Sequence, residues 1–256
     1  MLKERVISGL IIALIGLTGI LCGGFPLWCL TLIIVCLCTF ELFKAADIHN
    51  NKITWLIYPC EVIWLLFCRK IVMIVAVLAA VTIIFMSIYV FTYPKIKFSK
   101  GFLIPLSFFY IAVLGSSIFL IRETGDGIYN AVLYLIGCFG TDIFAYFVGS
   151  KFGRHHPFPL LSPKKSVEGC IGGIVCSVLI GCIVTALMKR PVLHSALILL
   201  IVSVFSEIGD LAASGIKRQF GIKDYGNLIP GHGGLLDRFD SSLFAGGILL
   251  ICITFL

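Results

Sequence analysis

Nearly the whole chain consists of long apolar runs separated by short polar breaks, and the spacing of those breaks is the first structural signal. Divided at charged, Gly and Pro positions, the sequence gives nine apolar segments, near 6–22, 25–43, 53–68, 71–93, 102–121, 128–150, 169–188, 192–213 and 235–255. Most reach the roughly 20 residues an α-helix needs to cross a hydrocarbon layer of about 30 Å. The pattern therefore predicts an all-α, polytopic transmembrane helix bundle of about nine helices. Segment 53–68 is short, and only Arg69 and Lys70 part it from the next run, so counts of eight or seven fit as well. The first segment follows a charged start (Lys3, Glu4, Arg5) as a signal peptide would, but another apolar run begins after only Gly23 and Gly24, which makes it a retained first helix. The longest polar connections, 151–168 and 214–234, are too short to fold alone. Residues 1–256 thus read as one integral membrane domain, with N-terminal membrane helices over 1–127 and the functional helices and loops over 128–256.

Composition closes off the soluble alternatives. The chain is 59% hydrophobic and 13% charged, with a mean hydropathy of +1.09; globular domains average about 25% charge. Its net charge of +7 fits anionic lipid headgroups, phosphate-rich ligands or topology signals. Tallied over the alternating loops of the nine-helix reading, Lys and Arg split 15 to 5. The minority is Arg69, Lys70, Arg122, Lys189 and Arg190, so the N-terminus and both long loops fall on the cytoplasmic side and the C-terminus on the other. Should one helix of the first half not cross, the N-terminus changes sides while the two long loops stay together. The 11 Cys residues show no zinc-like pairing with His and read as small apolar side chains. No nucleic-acid role follows, because the basic residues come without a soluble binding domain.

Acidic residues in the first half (Glu4, Glu41, Asp47, Glu61), and Glu123 and Asp126 in a short loop, read as helix-end or surface charges. From residue 142 the pattern changes. Asp142, Glu168, Glu207, Asp210, Asp224, Asp237 and Asp240 lie within or beside apolar segments, on the side assigned to the cytoplasm. Ionisable groups at membrane depth cost roughly 2.5–3.5 kcal/mol each on insertion scales and face polar cavities. Glu207, Asp210, Ser214 and Lys217, at i, i+3, i+7 and i+10, share one helical stripe. Asp237 and Asp240, with Ser241, form a second where the last segment begins. Two such stripes repel unless a cation lies between them, and hard oxygen ligands favour Mg²⁺. For the pair Asp237 and Asp240 the alternative is stabilisation of a helix N-terminus, worth about 0.3–1 kcal/mol, and one does not exclude the other.

Lys164, Lys165, Lys217, Arg218 and Lys223 flank these stripes, and the run Gly231-His232-Gly233-Gly234 lets backbone amides approach a ligand just before a helix N-terminus. Separately, such a Lys cluster reads as topology or lipid contact, the Gly-rich run as a flexible connection, and His232 as a structural hydrogen-bonding residue. Together they are the parts of a polyphosphate site with a divalent metal.

The run SGIKRQFGIKDYGNLIPGHGGLLDRFDS, residues 214–241, resembles the signature of the phosphatidate cytidylyltransferases, also called CDP-diglyceride synthetases. DIFAYFVG (142–149) and LSPKKSVEG (161–169) are similar to further family motifs, with Ser166 where Thr is more usual. The recognisable region spans roughly residues 137–246, and the first half matches only as generic membrane helices. The resemblance implies transfer of the cytidylyl group of CTP to phosphatidic acid, giving CDP-diacylglycerol and pyrophosphate, with Mg²⁺ and the option of a second cation. Carried onto this sequence, it points to Asp210, Asp237 and Asp240 as metal ligands, with Asp142 and Glu207 as additional ligands or their supports. Lys217, Arg218, Lys223, Asp224 and His232 would serve the reacting phosphates. Lys164, Lys165, Ser166, Glu168, Ser214, Gly233, Gly234 and Arg238 would bind substrate. It further implies contact with membrane lipids, a multi-pass location in a bacterial inner membrane with the site facing the cytoplasm, and compatibility with a homodimer.

Three other readings are weighed against it. A transporter would also carry intramembrane carboxylates, but these gather at one face. A CDP-alcohol phosphotransferase would show DGxxAR followed by GxxxDxxxD, which is absent. A non-catalytic scaffold would not need every polar position of the signature.

Overall fold

The computed structural model describes residues 2–92, 98–229 and 233–256. Among the described residues the structure is helical throughout, apart from one isolated bridge between Ile229 and Gly233. The helices are α1 (Leu2–Cys22), α2 (Gly24–Ala45), α3 (Ile57–Phe67), α4 (Ile71–Thr92), α5 (Phe98–Ser107), α6 (Ser117–Arg122), α7 (Gly127–Leu135), α8 (Thr141–Phe152), α9 (Val167–Leu187), α10 (Val192–Gln219) and α11 (Leu236–Phe255). A π-helical turn, Phe108–Val113, lies between α5 and α6, and another, Ile136–Gly140, joins α7 to α8. Each of these pairs forms one rod, so nine rods stand among the described residues where nine apolar segments are expected. Seven are long and apolar enough to cross a membrane, judged over the described residues.

The short segment of the sequence pattern is short in the structure too. A 3₁₀ turn, Lys52–Leu56, runs directly into the 11 residues of α3. At about 2.0 Å per 3₁₀ residue and 1.5 Å per α residue the combined rod rises about 26 Å, somewhat less than the hydrocarbon thickness. At the other extreme, α10 has 28 residues and carries the polar stripe as a direct continuation of an apolar helix.

The chain divides into two compact units, residues 1–120 with 224–237, and residues 121–223 with 238–256. In the first unit Trp64 of α3 meets Phe108 edge-on, with ring centroids 5.8 Å apart, and donates its indole N–H to Ser116 Oγ at 3.0 Å. Phe43, Ile57, Leu65 and Ile111 are buried in the same unit. Two acidic residues expected at helix ends or on the surface are instead deep inside this unit: Glu41 is 4% exposed and Glu61 0%. Both lie on faces that pack inward, where a carboxyl must find donors within the protein. For Glu61 the donor is the Thr39 hydroxyl, at 2.6 Å from Oε1.

In the second unit α8 and α9 approach closely along a seam of small residues. A Cβ at Gly173 would stand 2.7 Å from the Thr141 carbonyl oxygen, and one at Gly169 2.9 Å from that of Ala145, so only glycine permits this separation. The seam holds Asp142, on the first turn of α8, at a fixed distance from the loop that leads into α9.

Candidate active site

The polar stripe of α10 receives a lysine from the loop before α9. Lys165 Nζ lies 2.7 Å from Glu207 Oε2 and 2.7 Å from Asp210 Oδ2, and donates to the Glu207 backbone carbonyl at 3.1 Å. Burial works against the charge of this ammonium group, but the carboxylates of Asp210 and Glu207 outweigh it and hold its pKa above that of an ordinary lysine. Glu207 also accepts from the Cys170 thiol at 3.3 Å, while its Oε1 is buried without a hydrogen-bond partner. All eleven cysteines are free thiols.

A second group of contacts joins α8, α10 and α11. Ser241 donates its hydroxyl to Asp142 Oδ2 at 2.8 Å and its backbone N–H to Asp240 Oδ1 at 2.8 Å. Asp240 Oδ2 lies 3.6 Å from Lys217 Nζ, and both residues are buried. Asp210 is within electrostatic reach of both Asp142 and Asp240. Four carboxylates and two lysines therefore gather in the second unit, with Ser214 buried on the same helix as Lys217. Ser241 is the hinge of this arrangement, and only its position beside Asp240 hinted at that. Among the described residues no three His, Cys, Asp or Glu side chains stand close enough to one another to enclose a metal ion. The donor set is nevertheless one of hard oxygens, with one unpartnered buried carboxylate oxygen at Glu207, and suits Mg²⁺ rather than a softer ion.

The remaining expected residues are placed differently. In the first unit the Asp237 carboxylate accepts from the backbone N–H of Tyr225 at 2.8 Å and of Gly234 at 3.0 Å, and so ties the loop before α11 to the first turn of that helix. Gly233 has φ +85°, in the left-handed region that glycine enters without strain, and its carbonyl accepts from Ile229 N–H at 3.0 Å. Glu41, expected to be a helix-end or surface charge, accepts from the backbone N–H groups of Leu235 and Leu236. His232 lies outside the described residues. In the second unit Ser166 is the N-cap of α9, its Oγ accepting from Gly169 N–H at 3.1 Å. Glu168 gathers the backbone N–H groups of Arg154 and His155 and the His155 ring, and so folds the loop before α9. Arg218 donates to the Ile222 carbonyl at 2.9 Å, just beyond the end of α10. Lys164, Lys223, Asp224 and Arg238 are exposed.

The model of the Cytidylyltransferase family matches residues 3–256. The phosphatidate cytidylyltransferase of Staphylococcus epidermidis is 31% identical over 98% of this chain and 99% of its own. That of Bacillus subtilis strain 168 is 31% identical over 95% and 94%, and that of Staphylococcus aureus 30% over 98% and 99%. The likeness thus runs through the first-half helices as well as the motif-bearing second half.

Proposed function

The chain belongs to the cytidylyltransferase family, and from that premise we propose how its clustered carboxylates and lysines serve transfer of the cytidylyl group of CTP to phosphatidic acid, giving CDP-diacylglycerol and pyrophosphate. A phosphate oxygen of the lipid attacks the α-phosphorus of CTP; the new P–O bond forms as the bond to the β-phosphate oxygen breaks, and pyrophosphate leaves with the electron pair. A phosphate monoester has its second pKa near about 6, so the nucleophile is largely ionised at neutral pH and needs no strong general base. The difficulty is charge, because two anionic phosphate groups must meet.

Lys165 and Lys217 supply buried positive charge beside the carboxylates, and exposed Lys164, Arg218, Lys223 and Arg238 draw the nucleotide toward them. Asp210 and Asp240, with Asp142 and Glu207, would hold Mg²⁺. When bound, the ion offsets charge on the reacting phosphates. Asp237 also holds the loop shape, its Oδ2 accepting from two backbone amides. The observation that carries this reading is the gathering of four carboxylates and two lysines inside an otherwise apolar helix bundle, where each charge is costly without a task.

A lipid substrate explains the setting, since withdrawing acyl chains from the bilayer costs about 0.8 kcal/mol per CH₂ and CTP cannot enter it. The site accordingly faces the cytoplasm of a bacterial inner membrane, on the side of the Lys- and Arg-rich loops. Self-association as a homodimer belongs to the same reading and is checked by sizing in detergent. The deciding experiment is pyrophosphate release by the purified protein with CTP, Mg²⁺ and phosphatidic acid, omitting each in turn. Release that needs all three, with CDP-diacylglycerol formed, supports the whole reading; turnover undiminished by chelation removes the metal from it.

A further inference from the structure

Leu235 precedes α11 and has no hydrogen-bonding side chain with which to cap the helix it starts. Backbone N–H groups at a buried helix start need a partner from elsewhere. Here the partner comes from α2, nearly two hundred residues earlier in the chain. Glu41 Oε1 accepts from Leu235 N–H at 2.9 Å and Oε2 from Leu236 N–H at 2.8 Å, one amide to each oxygen. With Asp237 on the Gly234 amide, three consecutive backbone donors are held by carboxylates. The loop is shaped to admit Glu41: a Cβ at Gly234 would stand 2.6 Å from Oε2, and one at Gly226 2.8 Å from Oε1. Two glycines of the signature thus leave space that a carboxylate of another helix fills.

We infer that Glu41 is the positioning residue of this segment: seated on the amides of Leu235 and Leu236, in space left by Gly226 and Gly234, it fixes the start of α11, the helix that carries Asp237 and Asp240. It acts through the backbone. The inference rests on the reading of this segment as part of the active site. Two acceptor oxygens are what the geometry uses, so Gln supplies one and sets an amide NH₂ against the other donor.

The test measures kcat and KM for CTP in Glu41→Gln, Glu41→Ala, Gly234→Ala and the double variant Glu41→Ala/Gly234→Ala, with Asp237→Asn alongside and thermal unfolding of each in detergent. Glu41→Gln is expected to lower kcat about tenfold and Glu41→Ala roughly 100-fold, the scale of an ångström's misplacement at a reacting centre, with KM for CTP nearly unchanged. Gly234→Ala is costly alone but adds little once Glu41 is Ala, because the obstructing carboxylate is gone; general loss of stability would not produce that non-additivity. A folded Glu41→Gln protein with the parent's kcat overturns the inference, and so do additive losses in the double variant. If Glu41→Ala fails to fold, Glu41→Gln decides alone. Asp237→Asn inactive with Glu41→Gln normal removes Glu41 only, whereas full activity in both removes the segment from the active site. Slow Glu41→Gln beside normal Asp237→Asn also overturns the inference, since the effect would not run through this segment.

Discussion

Beyond the last residue of α9, Arg190 pairs with Asp126 and lies over the Tyr129 ring, 5.6 Å from its centroid. Before the first residue of the same helix, Lys165 pairs with Glu207 and Asp210. The groups are chemically alike and their surroundings are not. Arg190 and Asp126 are 43% and 48% exposed, one charge against one, in reach of water and salt. Lys165 and Glu207 are 12% and 7% exposed and Asp210 33%, and they belong to a cluster in which four carboxylates face two lysines. An exposed, balanced pair contributes little. A buried cluster with surplus negative charge is costly as it stands, and it makes sense as a receptacle for positive charge that arrives with the reaction.

The comparison is broken most severely by removing charge from the buried side. Asp210→Asn and Asp240→Asn are each expected to lower turnover by about 1000-fold while the protein remains membrane-inserted and folded, on the scale of losing a main electrostatic stabiliser. Turnover near the parent's in both would show that the carboxylates are structural. Lys165→Met comes next, with about a 100-fold loss of activity and a lowered unfolding temperature, because breaking a buried pair leaves uncompensated charge at about 3–5 kcal/mol. A lysine whose folded pKa is raised contributes its full stabilisation below the unfolded value of about 10.4 and loses it only as pH climbs above that. The stability gap between the parent and Lys165→Met should therefore stay level from about pH 7 to about pH 9; a gap that closes within that range would contradict the pairing. The smallest effect belongs to Arg190→Ala, below about 1 kcal/mol in stability and vanishing in high salt, with turnover unchanged. A larger loss there would erase the contrast between the two ends of α9.

Much of this was legible in the residue pattern, for identifiable reasons. Among the described residues the apolar runs became helical rods, seven of them long and apolar enough to cross a membrane, because length and hydropathy alone decide what a membrane accepts. The stripe of Glu207, Asp210 and Lys217 survived because helical spacing is a local property. What could not be read was pairing at a distance. Nothing near Glu41 in the sequence announces Leu235 and Leu236, and an acidic residue near the end of an apolar run looks like a boundary charge until the helix facing it is known. Within LSPKKSVEG, Ser166 and Glu168 are expected to bind substrate together with the lysines, and in the structure they have helix-start chemistry: one caps α9 and the other gathers the amides of the preceding loop. Asp237 is expected among metal ligands beside Asp240, and in the structure one of its oxygens, Oδ2, takes the Tyr225 and Gly234 amides as partners. That choice depends on loop conformation, which spacing does not encode.

The π-helical turn Ile136–Gly140 sets the angular phase of everything that follows it in the rod. One such turn takes in an extra residue, and in a helix of 3.6 residues per turn each residue is worth about 100°. A rod of uniform pitch from Gly127 onward would swing Asp142 through about that angle and carry its carboxylate off the Ser241 hydroxyl. The wide turn works as a phase shifter: it lets α7 keep its own packing face while α8 aims a single acid at the Ser241 hydroxyl.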